Sequence, residues 1–497
     1  MEICKSGQGR GHSAVDGGAV GGVAFDPARV RSAAIRLAAF GTAEKNAALA
    51  RAAACLLAHK AEIEAANALD LARAGREALP MPLQKRLKMD GKKIEDVVAG
   101  IQSLISLPDP AGRELFAKEL SEGLVLRKLS CPIGVVGVIF ESRPDALVQI
   151  ASLCLKSGNA VVLKGGSEAR ETNRVLSELI LTATVGTGGA DTVAGNGDAA
   201  EAAAGNTGPS LDGAPEGWLC QLEKRSEIDE LLRMDDAIDL LIPRGSNEFV
   251  RYIMEHTRIP VMGHADGLCH CYVDASAELS RAVRVVVDAK TQYAAVCNAT
   301  ETLLVHEAVA PAFLPALWDA LNSADGAQND ADGTPDSAGN AAPGPGRVVF
   351  RGCARTREIL GRDRVEAATE QDWRTEYLDY ILAVKVVGGV DEAIAHINQY
   401  GSRHTDAILA EDAAVVQKFT LLVDSANVFH NCSTRFSDGF RYGFGAEVGV
   451  STGKFHARGP VGLEGLVTYK YVLSGHGDVV ADFEEGRKRF TFKPLPT

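Results

Sequence analysis

No stretch of the chain approaches the ~18 to 20 apolar residues that a membrane-crossing helix needs; even ALVQIASLCL at 146–155 is closed by Lys156. A membrane span is therefore not expected. Basic charge is also short, with 52 Lys and Arg against 65 Asp and Glu and a formal net charge of −13. That balance lacks the footprint that phosphate-backbone contacts require and argues against a nucleic-acid binder. The first 24 residues have no apolar core of a secretory signal, carry only a few basic residues, and read as a disordered tail. The ten cysteines lack the spacing of a small disulfide framework, so free thiols in a reducing compartment, the cytoplasm, are expected. Cys269-His270-Cys271 has neither the ligand spacing nor the second pair of a zinc site, and no metal is expected there. A Gly-x-Gly-x-x-Gly fingerprint is missing too, so a dinucleotide would have to be held in another way.

What is present is length and apolar content: 497 residues, 46% hydrophobic, enough for two or three domains with sizeable cores. Residues 27–74 are rich in Ala, Leu, Arg and Glu with apolar positions at helical spacing, which predicts a helical scaffold. GLVLRKLSCPIGVVGVIF (123–140) predicts a strand pair or extended arm running into a buried strand. A helix at 146–156, a Gly158-Asn159 turn and the strand AVVLKGG follow, the strand–helix–strand unit of a parallel α/β sheet. Further strands are expected at 237–243, 302–306, 347–352 and 380–387, and helices at 247–256, 308–321 and 390–399. Two segments, 185–217 and 323–346, are dominated by Gly, Ala, Asp, Asn, Ser and Pro and read as surface insertions. There is no internal repeat.

Four stretches carry reactive groups. Cys297 stands where a helical pattern ends and the strand TLLVH begins, a place that holds a nucleophile rigidly yet accessibly, although a cysteine in apolar surroundings is more often inert packing. Lys164-Gly165-Gly166-Ser167-Glu168 ends a buried-type strand; its lysine could reach a nucleotide ribose and its glycines permit close backbone approach, while plain loop chemistry reads the same way. Pro243-Arg244-Gly245-Ser246-Asn247 is again strand, turn and helix, whose free N–H groups could face an anion or simply be capped by Ser246 or Asn247. Glu141-Ser142-Arg143-Pro144-Asp145 is a charged turn between an apolar strand and an apolar helix, either an anion-handling site or a surface ion pair.

Taken in order, CPIGVVGVIFESRPD, GNAVVLKGGSEA, IPRGSNE, CNATETLLVH, GSRHTDAI and FGAEVGVSTGKFHARGPVGLEGL closely resemble the glutamate-5-semialdehyde dehydrogenase (gamma-glutamyl phosphate reductase) family of the aldehyde dehydrogenase superfamily, from about Arg29 to Leu473 with gaps at the two insertions. The resemblance implies an aldehyde dehydrogenase-like α/β fold of two α/β domains with a β-arm for oligomerisation. On that reading residues 25–271 form a nucleotide-binding domain with an arm at 121–133, residues 272–461 a catalytic domain, and residues 462–497 a C-terminal oligomerisation strand and tail.

It also implies roles. Cys297 becomes the nucleophile that displaces phosphate from L-glutamyl 5-phosphate, giving a thioester that NADPH reduces to glutamate 5-semialdehyde in proline biosynthesis. Lys164, Gly166, Ser167 and Glu168 fall on the adenosine ribose side of the cofactor, Gly245 and Ser246 are further cofactor-binding residues, and Glu376 falls on the nicotinamide ribose. Ser246 departs from a commoner second glycine. Ser142, Arg143, Asn298, His264, His404, Arg441 and Arg458 are the implied substrate-binding residues, with Arg143 the first choice for phosphate. Hydrolytic relatives carry a water-activating glutamate where VMGHADGLCHCYVD (261–274) has none, and His264 takes its approximate position. A hydrolytic aldehyde dehydrogenase, the reductase half of a bifunctional synthase and a catalytically inactive homologue are the competing readings. Exposed strand edges at 123–133 and 469–475 predict a homo-oligomer.

Overall fold

The computed structural model describes residues 25–79, 81–185, 213–224, 227–322, 348–445 and 447–496. The tail at 1–24, the segment expected as an insertion at 323–346, and residues 186–212 of the other insertion lie outside them. Among the described residues no helix is long and apolar enough to cross a membrane.

The N-terminal scaffold consists of three successive helices, Pro27–Leu37, Thr42–Ala58 and Lys60–Arg76. The first is started by Asp26, whose carboxylate accepts from the N–H groups of Ala28 and Arg29, with Pro27 in the first turn where its missing N–H is not needed. Its Val30, Ala33, Ala34 and Leu37 recur at helical spacing and are buried. The first helix packs on a four-stranded parallel sheet, and the other two pack on helices that cover it; the strand order is Leu219–Leu222, Ala160–Gly165, Val135–Phe140, Leu240–Arg244. Every residue of Val135–Phe140 and Ala160–Gly165 is buried, as expected for strands covered on both faces. The connecting helix Pro144–Ser157 ends at Gly158 with φ +81°, where a Cβ would also come within 2.8 Å of the Pro132 ring. Phe140 pairs with both Gly165 and Arg244, so three strands finish level with one another.

The second sheet has seven parallel strands, ordered Val365–Ala367, Val349–Gly352, Ile381–Val387, Thr300–His306, Cys269–Val273, Thr405–Leu409, Asn427–His430. Helices Leu279–Thr291 and Ala310–Asn322 bury their apolar stripes against one face, and Val390–Tyr400 and Ala413–Leu422 against the other. The domain boundary expected at 271/272 falls inside Cys269–Val273, a strand of this sheet, so the division lies ahead of Cys269. Val448 and Val461, expected within the catalytic domain 272–461, and Leu463 and Leu466, expected in the C-terminal segment 462–497, pack into the core of the first domain.

A separate antiparallel sheet forms the arm, ordered Val467–Ser474, Leu124–Pro132, Glu114–Ser121, Lys493–Leu495. The first two strands were expected and pair over eight positions, Val467↔Pro132 to Ser474↔Val125. The other two were not, because ELFAKELS has no clean alternation and is held extended by its partners.

Candidate active site

Cys297 lies in the loop between helix Leu279–Thr291 and strand Thr300–His306, half-buried. Its backbone is seated directly on Gly267: a Cβ there would stand 2.3 Å from the Cys297 carbonyl oxygen and 2.5 Å from its Cα. The absence of a side chain at 267 is therefore what lets the loop close down. Beneath it, the Cys269 thiol donates to the Cys297 carbonyl at 3.1 Å. Burial pushes the Cys269 thiol well up, and Cys154, Cys220 and Cys271 up to about 12, so these groups stay protonated and inert. Asn298 points its amide N–H at the Ser437 carbonyl, 2.8 Å away, and so pins the loop to the segment after strand Asn427–His430.

Two histidines share the space around the thiol. The rings of His264 and His404 meet edge to face with centroids 4.8 Å apart, and the ligand atoms of His264, Cys297 and His404 lie within 4.8 Å of one another. His264 bonds the Val450 carbonyl through Nδ1 at 2.9 Å. His404 is fully buried, with Nδ1 on the Thr405 hydroxyl at 2.8 Å and Nε2 without a partner among the described residues. Glu376 accepts from Asn247 Nδ2 at 2.5 Å and from the Gly267 N–H, so it is a member of this cluster rather than a solvated loop acid. Burial raises its pKa, and His264 and these hydrogen bonds only partly offset that.

The first sheet supplies a crevice. Its connections reverse direction between Val135–Phe140 and Leu240–Arg244, the switch point where open α/β sheets bind ligands. The turn after the first strand holds Ser142 at φ +46°, with its N–H and hydroxyl both donating to one oxygen of Glu168, at 2.6 and 2.7 Å. Glu168 thus ties that turn to the one beyond Ala160–Gly165, and it folds over Gly166, where a Cβ would collide with its carboxylate. Glu141 accepts from the Ser246 N–H at the start of helix Asn247–His256, and burial followed by the nearby Glu168 raises its pKa. Ser246 begins the helix without a side-chain cap, at φ −64°, a backbone that does not call for glycine. A Cβ on Gly245 would meet Phe249 at 2.9 Å and Glu141 at 3.0 Å. Lys164 is buried, its ammonium donating to the Gly165 carbonyl at 2.6 Å, and Arg73 holds the Ser167 and Glu168 carbonyls at 2.9 and 3.1 Å.

Cationic groups complete the setting. Arg143 is half-exposed, 3.6 Å from the buried carboxylate of Asp145, which Lys93 also reaches at 3.2 Å. Arg244 has its pKa lowered by burial and then by Arg143, with Glu447, Asp145 and Cys297 acting the other way. Arg435 is buried, donates to Gln292 at 2.8 Å, and is lowered by burial and then by Arg441. The structure therefore gathers Cys297, Asn298, His264, His404 and Glu376, and sets Ser142, Arg143, Gly245 and Ser246 along the adjoining crevice. Arg441 pairs with Asp438 at 3.5 Å. Arg458 binds Asp424 at 3.1 Å and lines a separate cavity of about 440 Å³ with Leu107, Phe444 and Leu463. Arg244, Gly267 and Glu447 lie in stretches singled out in the sequence and Arg435 does not, but none of the four was expected in the site, because the groups each one meets come from other strands and loops.

Residues 210–336 match the description "Aldehyde dehydrogenase family". The chain is 54% identical over 462 residues to a gamma-glutamyl phosphate reductase of Acetivibrio thermocellus, covering 93% of this chain and 96% of that one. A protein of the same name from Pelotomaculum thermopropionicum is 54% identical over 467 residues, with 94% and 96% covered. Among solved structures, the gamma-glutamyl phosphate reductase of Thermotoga maritima has a TM-score of 0.79 at 37% identity, covering 91% of this chain and 98% of that one. An acetylating aldehyde dehydrogenase of Geobacillus thermoglucosidasius shares the fold, with a TM-score of 0.57, 16% identity, and 91% and 96% covered.

Proposed function

The chain belongs to the gamma-glutamyl phosphate reductase family of the aldehyde dehydrogenases, and on that premise we propose that Cys297 carries acyl transfer and reduction on L-glutamyl 5-phosphate. The observation that carries the reading is the half-buried Cys297 seated on Gly267 and faced by two histidines, while Cys269 and Cys271 beside it are buried, protonated thiols. In the proposed reaction the Cys297 sulfur attacks the acyl carbon, the bond from that carbon to the phosphate oxygen breaks, and phosphate leaves as a thioester forms. Backbone N–H groups near Cys297 hold the developing oxyanion. Arg143, Arg244, Arg435 and Arg441 surround the substrate's anionic groups. With His264 at 264 and no glutamate in 261–274, the water-activating glutamate that hydrolytic relatives carry in that stretch is missing.

The enzyme uses a nicotinamide cofactor, and we read it as NADPH. The crevice residues fit a dinucleotide: it lies at the sheet's switch point, and the first turn of helix Asn247–His256 offers N–H groups. Gly245 and Ser246 would hold its phosphates, Lys164, Gly166, Ser167 and Glu168 its adenosine ribose, and Glu376 its nicotinamide ribose. When bound, the reduced nicotinamide supplies the hydride that takes the thioester to the aldehyde level. The chain's own contribution is to bind, orient and exclude water.

The arm supports assembly with further copies of the chain. Among the described residues strand Val467–Ser474 is an edge with one partner, and it exposes Tyr469, Tyr471 and Leu473. The testing experiment is phosphate-dependent reduction of NADP⁺ by purified protein with pyrroline-5-carboxylate, run beside Cys297→Ala. Turnover that needs phosphate and vanishes in the variant supports the reading. Phosphate-independent turnover moves the protein to the hydrolytic class, and none from folded protein indicates an inactive homologue.

A further inference from the structure

The space around Cys297 holds more coordinating power than acyl transfer needs. Three atoms of zinc-ligand type, from His264, Cys297 and His404, lie within 4.8 Å of one another. Each imidazole uses Nδ1 on the protein, His264 on the Val450 carbonyl at 2.9 Å and His404 on the Thr405 hydroxyl at 2.8 Å. A carbonyl oxygen can only accept, so His264 carries its proton on Nδ1 and keeps a lone pair on Nε2. This is the outer-shell arrangement that orients metal-binding histidines. His404 is completely buried, and its Nε2 is a buried nitrogen with no hydrogen-bond partner among the described residues. An unpaired ring nitrogen in such a place is costly unless a ligand meets it.

We propose that His264, Cys297 and His404 form a reversible clamp for a borderline-soft divalent cation of the Zn²⁺ type, which holds the nucleophile inactive until the metal leaves. Zinc–sulfur and zinc–nitrogen bonds of about 2.3 and 2.0 Å put tetrahedral ligands roughly 3.3 to 3.6 Å apart, so the longest separation closes by a little over 1 Å. Rotation of the half-buried Cys297 side chain supplies that movement. On binding, the thiol proton is released to solvent as the sulfur–metal bond forms, nothing is oxidised, and water takes the fourth position. The sulfur lone pair that would attack the acyl carbon is then engaged. Cys269-His270-Cys271 does not compete: Cys269 donates to the Cys297 carbonyl, Cys271 meets the Thr300 hydroxyl at 3.1 Å, and His270 is bound to Asp406 at 2.8 Å.

The clamp rests on the proposed accessibility of Cys297 but not on the identity of the substrate, so metal binding is read separately from turnover. Full-length protein freed of metal with a chelator is titrated with Co²⁺ alone and then with Zn²⁺ alone. A thiolate-to-cobalt charge-transfer band that saturates at one equivalent, is displaced by Zn²⁺ and disappears in Cys297→Ser is the expected result. Zn²⁺ should also block alkylation of Cys297 by iodoacetamide, with chelator restoring it. His264→Gln and His404→Gln should each weaken binding by at least roughly tenfold; His264→Gln, in a half-buried loop, keeps the test open if the buried variant does not fold. Absence of the band, its persistence in Cys297→Ser, or unchanged affinity in the histidine variants overturns the clamp. A band in protein that lacks reductase turnover leaves the clamp standing and overturns the reductase reading alone.

Discussion

Gly267→Ala is the sharpest perturbation the site offers. The backbone at 267 is not in the left-handed region, so alanine is permitted by its φ, and the whole effect comes from one added methyl group. That methyl would stand 2.3 Å from the Cys297 oxygen and 2.5 Å from its Cα and Cβ, whereas ordinary contact begins at 3.4 Å. The atoms it meets are mostly backbone, with no flexible side-chain end to swing aside. The two segments must part by about 1 Å, and a displacement of that size at a nucleophile costs on the order of a hundredfold in kcat. Overpacking of this kind also costs about 1 to 3 kcal/mol of stability, which a protein of this size survives. Gly263→Ala, four residues before Gly267, is the matched control, since its nearest atom would be a Pro243 ring carbon at 3.5 Å. The assay is the phosphate-dependent reduction of NADP⁺ with pyrroline-5-carboxylate, together with the iodoacetamide labelling rate of Cys297. If Gly267→Ala keeps the turnover and labelling rate of the Gly263→Ala control, the seating of the nucleophile on residue 267 is refuted.

Lys290→Met removes the partner of a fully buried carboxylate, Glu301, 2.7 Å away, and is expected to destabilise the fold by about 3 to 5 kcal/mol in urea denaturation; a loss under 1 kcal/mol, on the scale of an exposed pair, would count against it. Burial pushes Glu301 up to about 7 despite Lys290. Its folded value lies above the ordinary 4.5, so the linked stability is full below that and is lost as pH rises through about 7. The stability advantage of wild type over Glu301→Gln should accordingly shrink across that window, and one that grows would contradict the assignment. Ser142→Ala removes the 2.7 Å hydroxyl bond to Glu168, a charge-assisted contact worth about 1.5 to 3 kcal/mol, and should raise the KM for NADPH with kcat little changed. Leu473→Asp on the exposed arm edge should shift the solution mass toward the monomer, and an unchanged mass would remove the arm from the interface.

Much of the fold was legible because its signals are local. Hydrophobic runs such as VVGVIF and AVVLKG are too short and too β-branched for helices, and Pro144 and Gly158 mark the ends of the helix between them. The arm strand Glu114–Ser121 was illegible because its conformation is imposed by Leu124–Pro132 and Lys493–Leu495, its neighbours in space. The boundary near 271 shifted for a related reason: CHCYV was not among the expected strands, and only its pairing with Thr300–His306 and Thr405–Leu409 makes it one and assigns it to the second sheet.

The site divides along the same line. Cys297, Lys164, Glu376 and the Ser142-Arg143 turn could be singled out from the sequence, because each sits in a short stretch whose residue types and order carry a family's chemistry. The sequence by itself also determined the class of fold, since the alternation of strand and helix leaves a parallel sheet as the economical solution. Only the tertiary structure decided that Gly267 is the seat of the nucleophile, that Glu168 locks Ser142, and that His264 and His404 face the same thiol. These contacts join residues from separate strands and loops, with Gly267 and Cys297 30 positions apart and His264 and His404 140 apart in sequence. A local pattern records what the backbone will do over a few residues; which atoms then meet is fixed by how the sheets and helices pack.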